Sequence, residues 1–507
     1  MKERWFNYRP LLIVFLFLLL GSLFAFYITS EPLVCSIATI ILFVVLTIIA
    51  ILTKKIHYLL VPIISLLVGV AAYYVAVSPF KNNQFENKSP DIVQARVFYR
   101  DKANDSYMRV YADSCTIDGT DQNYNIIVYI YDNDDLYQDI EIGSVISFQV
   151  INCYLNDLFD QDTPNSTLYT KDLRYTISCS MDSVRVLEID KTFAEKIKDR
   201  VYNNLNNGLS NENVELAYSS LFGDKAMLGE RQQDAIKLSG VAHLLAVSGL
   251  HVGIIVKLLT LATKKIANRK WLRLFIIASF LLFYAYICGF SASVVRASIM
   301  SAILLMAPIF FRRYDTMSAI SLAGIICFLI NPLSVYDVSF LMSYSCVMGI
   351  TILYKPIREG MLKIKSPKWL ADSVSISTAT MIALVVIMAY FFNNFNFISI
   401  VANLVIIPIF TACFTIFFVL SFVSLLFPFV TYLLYIINPI LDFIVQIAGL
   451  IGYLPISNIA TMDINYISIV LYFLFLLFAG RFCVAKRESK FLITVPMIAL
   501  LVVGMMI

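Results

Sequence analysis

The chain has 507 residues, of which 59% are hydrophobic and 15% charged, with a mean hydropathy of +0.77. That composition excludes an ordinary soluble globular protein and indicates a multispanning membrane protein. The net charge of +4 hides an asymmetry: residues 81–215 carry 13 Lys/Arg against 23 Asp/Glu, and the remainder carries 26 against 12.

Three apolar runs come first, at about 11–29, 33–52 and 58–79. Lys2, Arg4 and Arg9 precede the first, which is long enough to span and reads as a retained helix rather than a cleaved leader. Lys54 and Lys55 separate the second run from the third. The positive-inside rule places both basic groups in the cytoplasm, so residues 1–80 form an N-terminal membrane unit that delivers the chain to the outside.

Residues 81–190 change character. Segments such as Ile126–Tyr131 and Val145–Ile151 are β-branched and aromatic, and Asp/Asn/Gly turns separate them. About five strands in this length predict a small all-β domain, barrel or sandwich. Outside the cell, Cys115, Cys153 and Cys179 allow one disulfide with one thiol left over. The acidic run from Asp132 to Glu141 lacks the spacing of a calcium loop and reads as a solvated turn. Residues 191–240 read as a helical linker, with Phe193, Ile197, Val201 and Leu205 at helical spacing, then Val214–Phe222 and Glu230–Leu238. Two placements stay open for it: along the outer membrane face, or against the β domain.

The remainder, 241–507, reads as a membrane bundle. Expected spans are 241–263, 274–290, 293–311, 317–331, 338–354, 376–392, 398–424, 428–452, 465–480 and 491–507. Basic clusters at 264–273, 312–316, 355–373 and 481–490 fall on the cytoplasmic side of that alternation. The expectation is a multispanning α-helical membrane protein of about 13 spans, N-terminus in and C-terminus out, with the small all-β domain inserted outside.

The stretch Gly240-Val-Ala-His243-Leu-Leu-Ala-Val-Ser248-Gly249-Leu-His251-Val-Gly253 opens the bundle. Polar groups at membrane depth usually face a bundle interior, a wet cavity or a transport path. On a regular helix His243 and His251 would differ by roughly 80° and face one cavity, while Gly249 and Gly253 leave room for close helix approach or for a break in the helix. The plainer reading is hydrogen bonding to neighbouring helices. A serine-hydrolase reading is weaker: His243 would be turned by about 140° from Ser248 on a regular helix, and no acid orients either histidine within the motif. No phosphate-binding lysine loop is present, so the chain is not itself a translocating ATPase.

His243-Leu-Leu-Ala-Val-Ser-Gly-Leu-His251 resembles the signature of the ComEC family of competence proteins. Leu221-Phe222-Gly223-Asp224, Gly289 with Arg296-Ala297, Asn331-Pro332 with Asp337-Val-Ser-Phe, and Asn403 with Pro408 resemble further family segments. The resemblance implies a bacterial inner-membrane channel that takes single-stranded DNA inward during natural transformation, with no catalytic residue, cofactor or metal. It makes His243, Ser248, Gly249, His251, Arg296, Asp224, Asp337 and Asn403 candidate path-lining residues, Arg296 contacting phosphate. The plainer readings are a snorkelling arginine and helix-capping aspartates. It implies an OB-type fold for the β domain, where Arg96, Arg100, Lys102 and Arg109 would have to gather on one face beside the strand tyrosines to hold a single strand. Implied partners are single-stranded DNA, membrane lipid, an extracytoplasmic DNA receptor and a cytoplasmic helicase-type ATPase. Family chains often continue into a nuclease domain; this one ends at Ile507, so a nuclease is expected as a separate protein. The alternatives are a transporter of a smaller solute and an intramembrane hydrolase.

Overall fold

The structure, a computed structural model, describes residues 9–28, 56–81, 91–100, 107–131, 140–156, 171–224, 228–266, 269–392, 394–396, 398–454, 459–460, 472 and 476. The expected spans 33–52 and 491–507, and all but two residues of 465–480, lie outside them. The chain divides into two compact units: one of residues 13–200 with 324–337, the other holding the rest.

In the first unit, helix α1 (Pro10–Ile28) packs against α2 (Ile56–Lys81) through glycines. Gly21 rests on the backbone of Leu66, and Gly69 on that of Leu18, so both helices lack side chains where their backbones meet. Further along, the Phe26 and Tyr73 rings are 6.4 Å apart, so the two helices run parallel. That is the arrangement three successive spans give to the first and third. Tyr336 donates to the Ser22 carbonyl at 2.9 Å, and Gly324 packs under Phe15, so residues 324–337 advance alongside α1 in the same direction.

The β domain contains β1 (Ile92–Arg100), β2 (Tyr107–Ile117), β3 (Thr120–Asp121), β4 (Asn125–Tyr131), β5 (Ser144–Gln149), β6 (Asn152–Leu155), β7 (Leu173–Ser180) and β8 (Arg185–Ile189). β1, β2 and β4 form an antiparallel meander, β7 lies parallel to β4, β5 pairs with β1, and β6 pairs with β7. Because β5 and β6 are consecutive, this path returns on itself. At the corner the Val150 amide donates to Asp91 and the Ile151 amide to Ser178. Alternate residues fill the interior, among them Val93, Ala95, Val97, Val110, Val128, Phe148 and Ile177.

The expected disulfide is not formed. Cys115, Cys153 and Cys179 are free thiols, and Cys115 and Cys179 sit in the domain core as small hydrophobes. Burial pushes both thiols up to about 12 and Cys153 up to about 11.

Helix α3 (Phe193–Leu205) starts with a reciprocal cap, in which the Thr192 amide donates to Glu195 at 2.7 Å and the Glu195 amide to Thr192 at 3.3 Å. The start of the linker packs on the β domain, one of the two placements left open for it, through Glu195 and Arg96, and the rest enters the second unit instead. Helix α4 (Asn211–Phe222) is buried along almost its whole length in the second unit. Polar side chains fix it there: Asn213 donates to Asp442 at 2.8 Å, and nearby Asn204 donates to the Ser424 carbonyl at 3.0 Å. Helix α5 (Glu230–Leu238) packs on the bundle where Gly452 meets Leu238.

The second unit continues through α6 (Gly249–Ala262), α7 (Lys270–Ile287), α8 (Ala292–Met306), α9 (Thr316–Ile330, shared between the units), α10 (Val338–Lys363), α11 (Lys368–Phe392), α12 (Ser399–Ser424), a 3-10 segment Pro428–Ile437 and α13 (Asn438–Gly452). Six described segments are long and apolar enough to cross a membrane: Leu60–Phe80, Lys270–Ile287, Val338–Lys363, Lys368–Phe392, Ser399–Ser424 and Pro428–Gly452. Three more apolar helices are shorter. The expected loop 355–373 shrinks to residues 364–367, because α10 and α11 extend past their apolar parts. Arg9 pairs with Asp315 at 2.8 Å, so the chain start and the loop before α9 share one end of the bundle, as the charge pattern requires.

Two outcomes follow. A membrane-impermeant thiol reagent on intact cells should label Ser114→Cys, which is exposed on β2, and should spare Lys365→Cys; the reverse pattern contradicts the orientation. Native alkylation at pH 8 should leave Cys115 and Cys179 unmodified until the protein is denatured, with no disulfide found by intact mass under non-reducing conditions.

Candidate functional site

The expected span 241–263 is broken. Gly240 takes φ +78°, Ala242–Leu244 form a 3-10 turn, and Ser248 is extended at φ −112°, ψ 170°. Regular helix begins only at Gly249. Ser248 is its N-cap, and His251 stands three residues on, where a capping box normally has Glu or Gln. The His251 Nδ1 accepts the Ser248 backbone N–H at 3.0 Å. The sequence thus satisfies a helix start inside an apolar run.

The two histidines, which a continuous helix would turn toward one cavity, differ in exposure on the broken backbone. His251 is 0% exposed, with its ring centroid 4.3 Å from Phe414 and 6.0 Å from Phe410. Its Nε2 makes no hydrogen bond among the described residues. His243 is exposed on the turn. His251 therefore positions the helix start and does not itself border open space.

α6 has 14 residues, about 21 Å of helix, short of a hydrocarbon core of about 30 Å. Exposed Lys264 and Lys265 mark its far end, and with those lysines at the interface Ser248 and Gly249 would lie within the apolar layer. Broken helices at that depth occur where protein or a wet cavity surrounds the irregular backbone.

Three elements converge on the break. The end of α4 is held beside it, because Tyr284 of α7 donates to the Leu221 carbonyl at 2.6 Å. The left-handed C-cap Gly223, at φ +80°, then packs against Val247, and Asp224 follows. On α8, Arg296 is 5% exposed, so the snorkelling reading fails. Its guanidinium lies by the Tyr344 ring, 5.8 Å from the centroid, and a Cβ on Gly249 would sit 3.1 Å from Nη2. Arg296 and the positive dipole end of α6 thus meet at Gly249 and together favour negative charge there.

Asn403 lies seven and eleven residues before Phe410 and Phe414, on the α12 face that covers His251. Its Oδ1 is without a partner among the described residues. Asp337 belongs to the other unit, where its amide closes the 3-10 turn Pro332–Tyr336 that Asn331 caps. Sequence reading missed Tyr284, Tyr344, Phe410 and Phe414. The spacing of Phe410, Phe414 and Phe417 was a visible helical stripe, but one that reads as packing.

The β domain sorts its candidate cations differently from the expectation. Arg96 is committed: Nε and Nη2 donate to Asp113 at 2.9 and 2.7 Å, and Nη1 bonds Glu195 at 3.1 Å. Arg100 donates to the Ile140 carbonyl at 2.8 Å. Lys102 lies outside the described residues. Of the three described, Arg109 stands among aromatics, 5.7 Å above Tyr111. The tyrosines do gather: Tyr107 pairs across with Tyr131, and its ring lies 5.3 Å from Tyr129. Lys171, absent from the expected set, sits 4.5 Å from the Tyr99 ring and 4.9 Å from Tyr111. It stands just before β7, far in sequence from Tyr99 and Tyr111, where spacing carries no signal.

The bundle part of the chain matches known proteins. It is 25% identical over 256 residues to ComE operon protein 3 of Bacillus subtilis, covering 49% of this chain and 31% of that protein. It is 23% identical over 242 residues to Recombination protein 2 of Haemophilus influenzae, covering 45% of this chain and 30% of that protein. An uncharacterized protein of Aquifex aeolicus is 26% identical over 169 residues, covering 33% of this chain and 37% of that one. The matched stretches thus span about a third of these relatives' own length. No solved structure matches the chain. The family described as Competence protein matches residues 220–486, more than half of the chain, and the chain belongs to that family.

Proposed function

We propose that the protein is a bacterial inner-membrane channel that conducts single-stranded DNA inward during natural transformation. Its N-terminus is cytoplasmic, residues 80–240 lie on the outer side with the end of the linker reaching into the bundle, and there are about 13 spans when the charge alternation is followed through the whole sequence. The observation that carries this reading is the interrupted helix whose N-terminus meets the buried Arg296 at Gly249. A path for a polyanion needs fixed positive points that hold each phosphate briefly and release it. A helix N-terminus and a guanidinium supply both without a mobile counterion. A motor and a receptor would be its partner proteins.

The barrel path, a meander closed by a parallel β4–β7 pair, supports the OB-type reading. Its stacked tyrosines with Lys171 and Arg109 suit base stacking beside phosphate.

A hydrolase is the less economical reading of Ser248. Its Oγ is 3.4 Å from His251 Nδ1, but that nitrogen already accepts a backbone amide. Nothing among the described residues orients Nε2 as a triad acid would.

Uptake assays at matched protein level separate these readings. Ser248→Asn keeps a good N-cap and removes the hydroxyl, so a channel should retain most of its transport while a hydrolase should lose all activity. Gly249→Leu fills the space before Arg296 and should lower uptake more than tenfold, as should Arg296→Gln. A null Ser248→Asn beside a nearly normal Gly249→Leu contradicts the channel. Selective loss of small-anion uptake would instead favour a solute transporter. In the purified full chain, Tyr129→Ala should weaken single-strand binding by ~1–3 kcal/mol, whereas Arg96→Gln should leave it unchanged and loosen the barrel.

A further inference from the structure

The turn between α10 and α11 is a feature the path does not use. α10 has 26 residues, about 39 Å of helix against about 30 Å of hydrocarbon. Its C-terminal end, with the start of α11, therefore stands clear of the apolar layer. The projecting hairpin is stiffened from within. Asp372 accepts from Tyr354 at 2.9 Å and forms an ion pair with Arg358. Deeper in the bundle Gly349 packs closely on Ala379 and Ala383.

The tip carries Lys355, Lys363, Lys365 and Lys368, all exposed. Ile364 and Trp369 beside them are 72% and 66% exposed. The turn itself is a Schellman cap, with Ser366 N–H donating to Met361 O at 3.3 Å and Lys365 N–H to Leu362 O at 3.1 Å. Its left-handed position, φ +59°, is the one glycine fills best, yet it holds Lys365. A cation is thus kept at the apex at the expense of local backbone comfort.

We propose that this tip is a docking surface for single-stranded nucleic acid, an exit platform for the strand that the bundle delivers; the inference rests on the channel reading above. Arg358 and Asp372 neutralise each other, so the lysines dominate the tip's charge. Lysines are point charges that hold a moving phosphate backbone without demanding one geometry. Trp369 adds a π-face on which any base stacks. An acidic protein fits less well, because lysine is depleted at protein interfaces. Lipid headgroups carry the same phosphate chemistry but offer no base for Trp369 to stack on, and the anionic-lipid competition below separates the two sources.

The test uses the purified full chain in neutral-lipid nanodiscs, with the photo-crosslinker p-benzoylphenylalanine replacing Trp369. Added oligothymidylate should crosslink at this position, and salt should suppress the yield. Lys363→Gln with Lys365→Gln and Lys368→Gln should lower it at least tenfold. The log–log salt slope should shrink by about 2, because three lysines no longer neutralise phosphates. Lys365→Gly removes one charge while easing the turn, so a reduced crosslink there is not a folding defect. Crosslinking requires no transport, so its outcome is read independently of the Gly249 and Arg296 uptake assays. The docking surface is overturned if oligothymidylate fails to crosslink while those uptake assays behave as expected. It is equally overturned if the lysine variants crosslink undiminished, or if polyglutamate or anionic-lipid nanodiscs compete as well as unlabelled oligothymidylate.

Discussion

The bundle's functional architecture depends on one local interaction: the reciprocal cap between Ser248 and His251. An apolar run that could have spanned as one helix is stopped partway, because a serine at N-cap and an imidazole at N3 satisfy amides that would otherwise be orphaned. Phe410 and Phe414 enclose the imidazole, so the cap is dry and its geometry is held by packing. What the break exposes is backbone beside Gly249, at the level where Arg296 arrives from α8. The glycine matters because a Cβ there would press on the guanidinium.

The surrounding elements serve that junction. Tyr284 ties the end of α4 to α7, and Gly223 allows the chain to turn away beside Val247. Asn213 and Asn204 embed the linker in the bundle through side-chain hydrogen bonds, which accounts for its burial despite a polar composition. In the other unit, Arg96 joins two carboxylates, one on β2 and one on α3. Its role there is to join the domain to the helix that follows it.

Much of this was legible in the sequence, for identifiable reasons. Hydropathy located the spans that are described, and turn residues located the β domain, because both signals are local. Helix α5 was expected at Glu230–Leu238 and stands there. The break at Ser248 was legible only as an option that Gly249 and Gly253 leave open, because a Ser-x-x-His cap inside an apolar period looks like continuous helix, the familiar signature having Glu or Gln at the last position. Arg96 was misjudged because Glu195 is 99 residues away in the chain. The half of the linker that enters the bundle was misplaced because its asparagines bond residues more than 200 positions away.

The central claim is that a strand passes the break between Gly249 and Gly253. These glycines are one turn apart on one face of α6, and a Cβ added at Gly253 meets open space. The most direct measurement is thiol crosslinking from Gly253→Cys to a phosphorothioate strand arrested in transit, compared with Leu282→Cys, which is 64% exposed on α7. The account predicts capture at 253 and none at 282. Capture at neither position, with the strand demonstrably arrested, or equal capture at both, would contradict it.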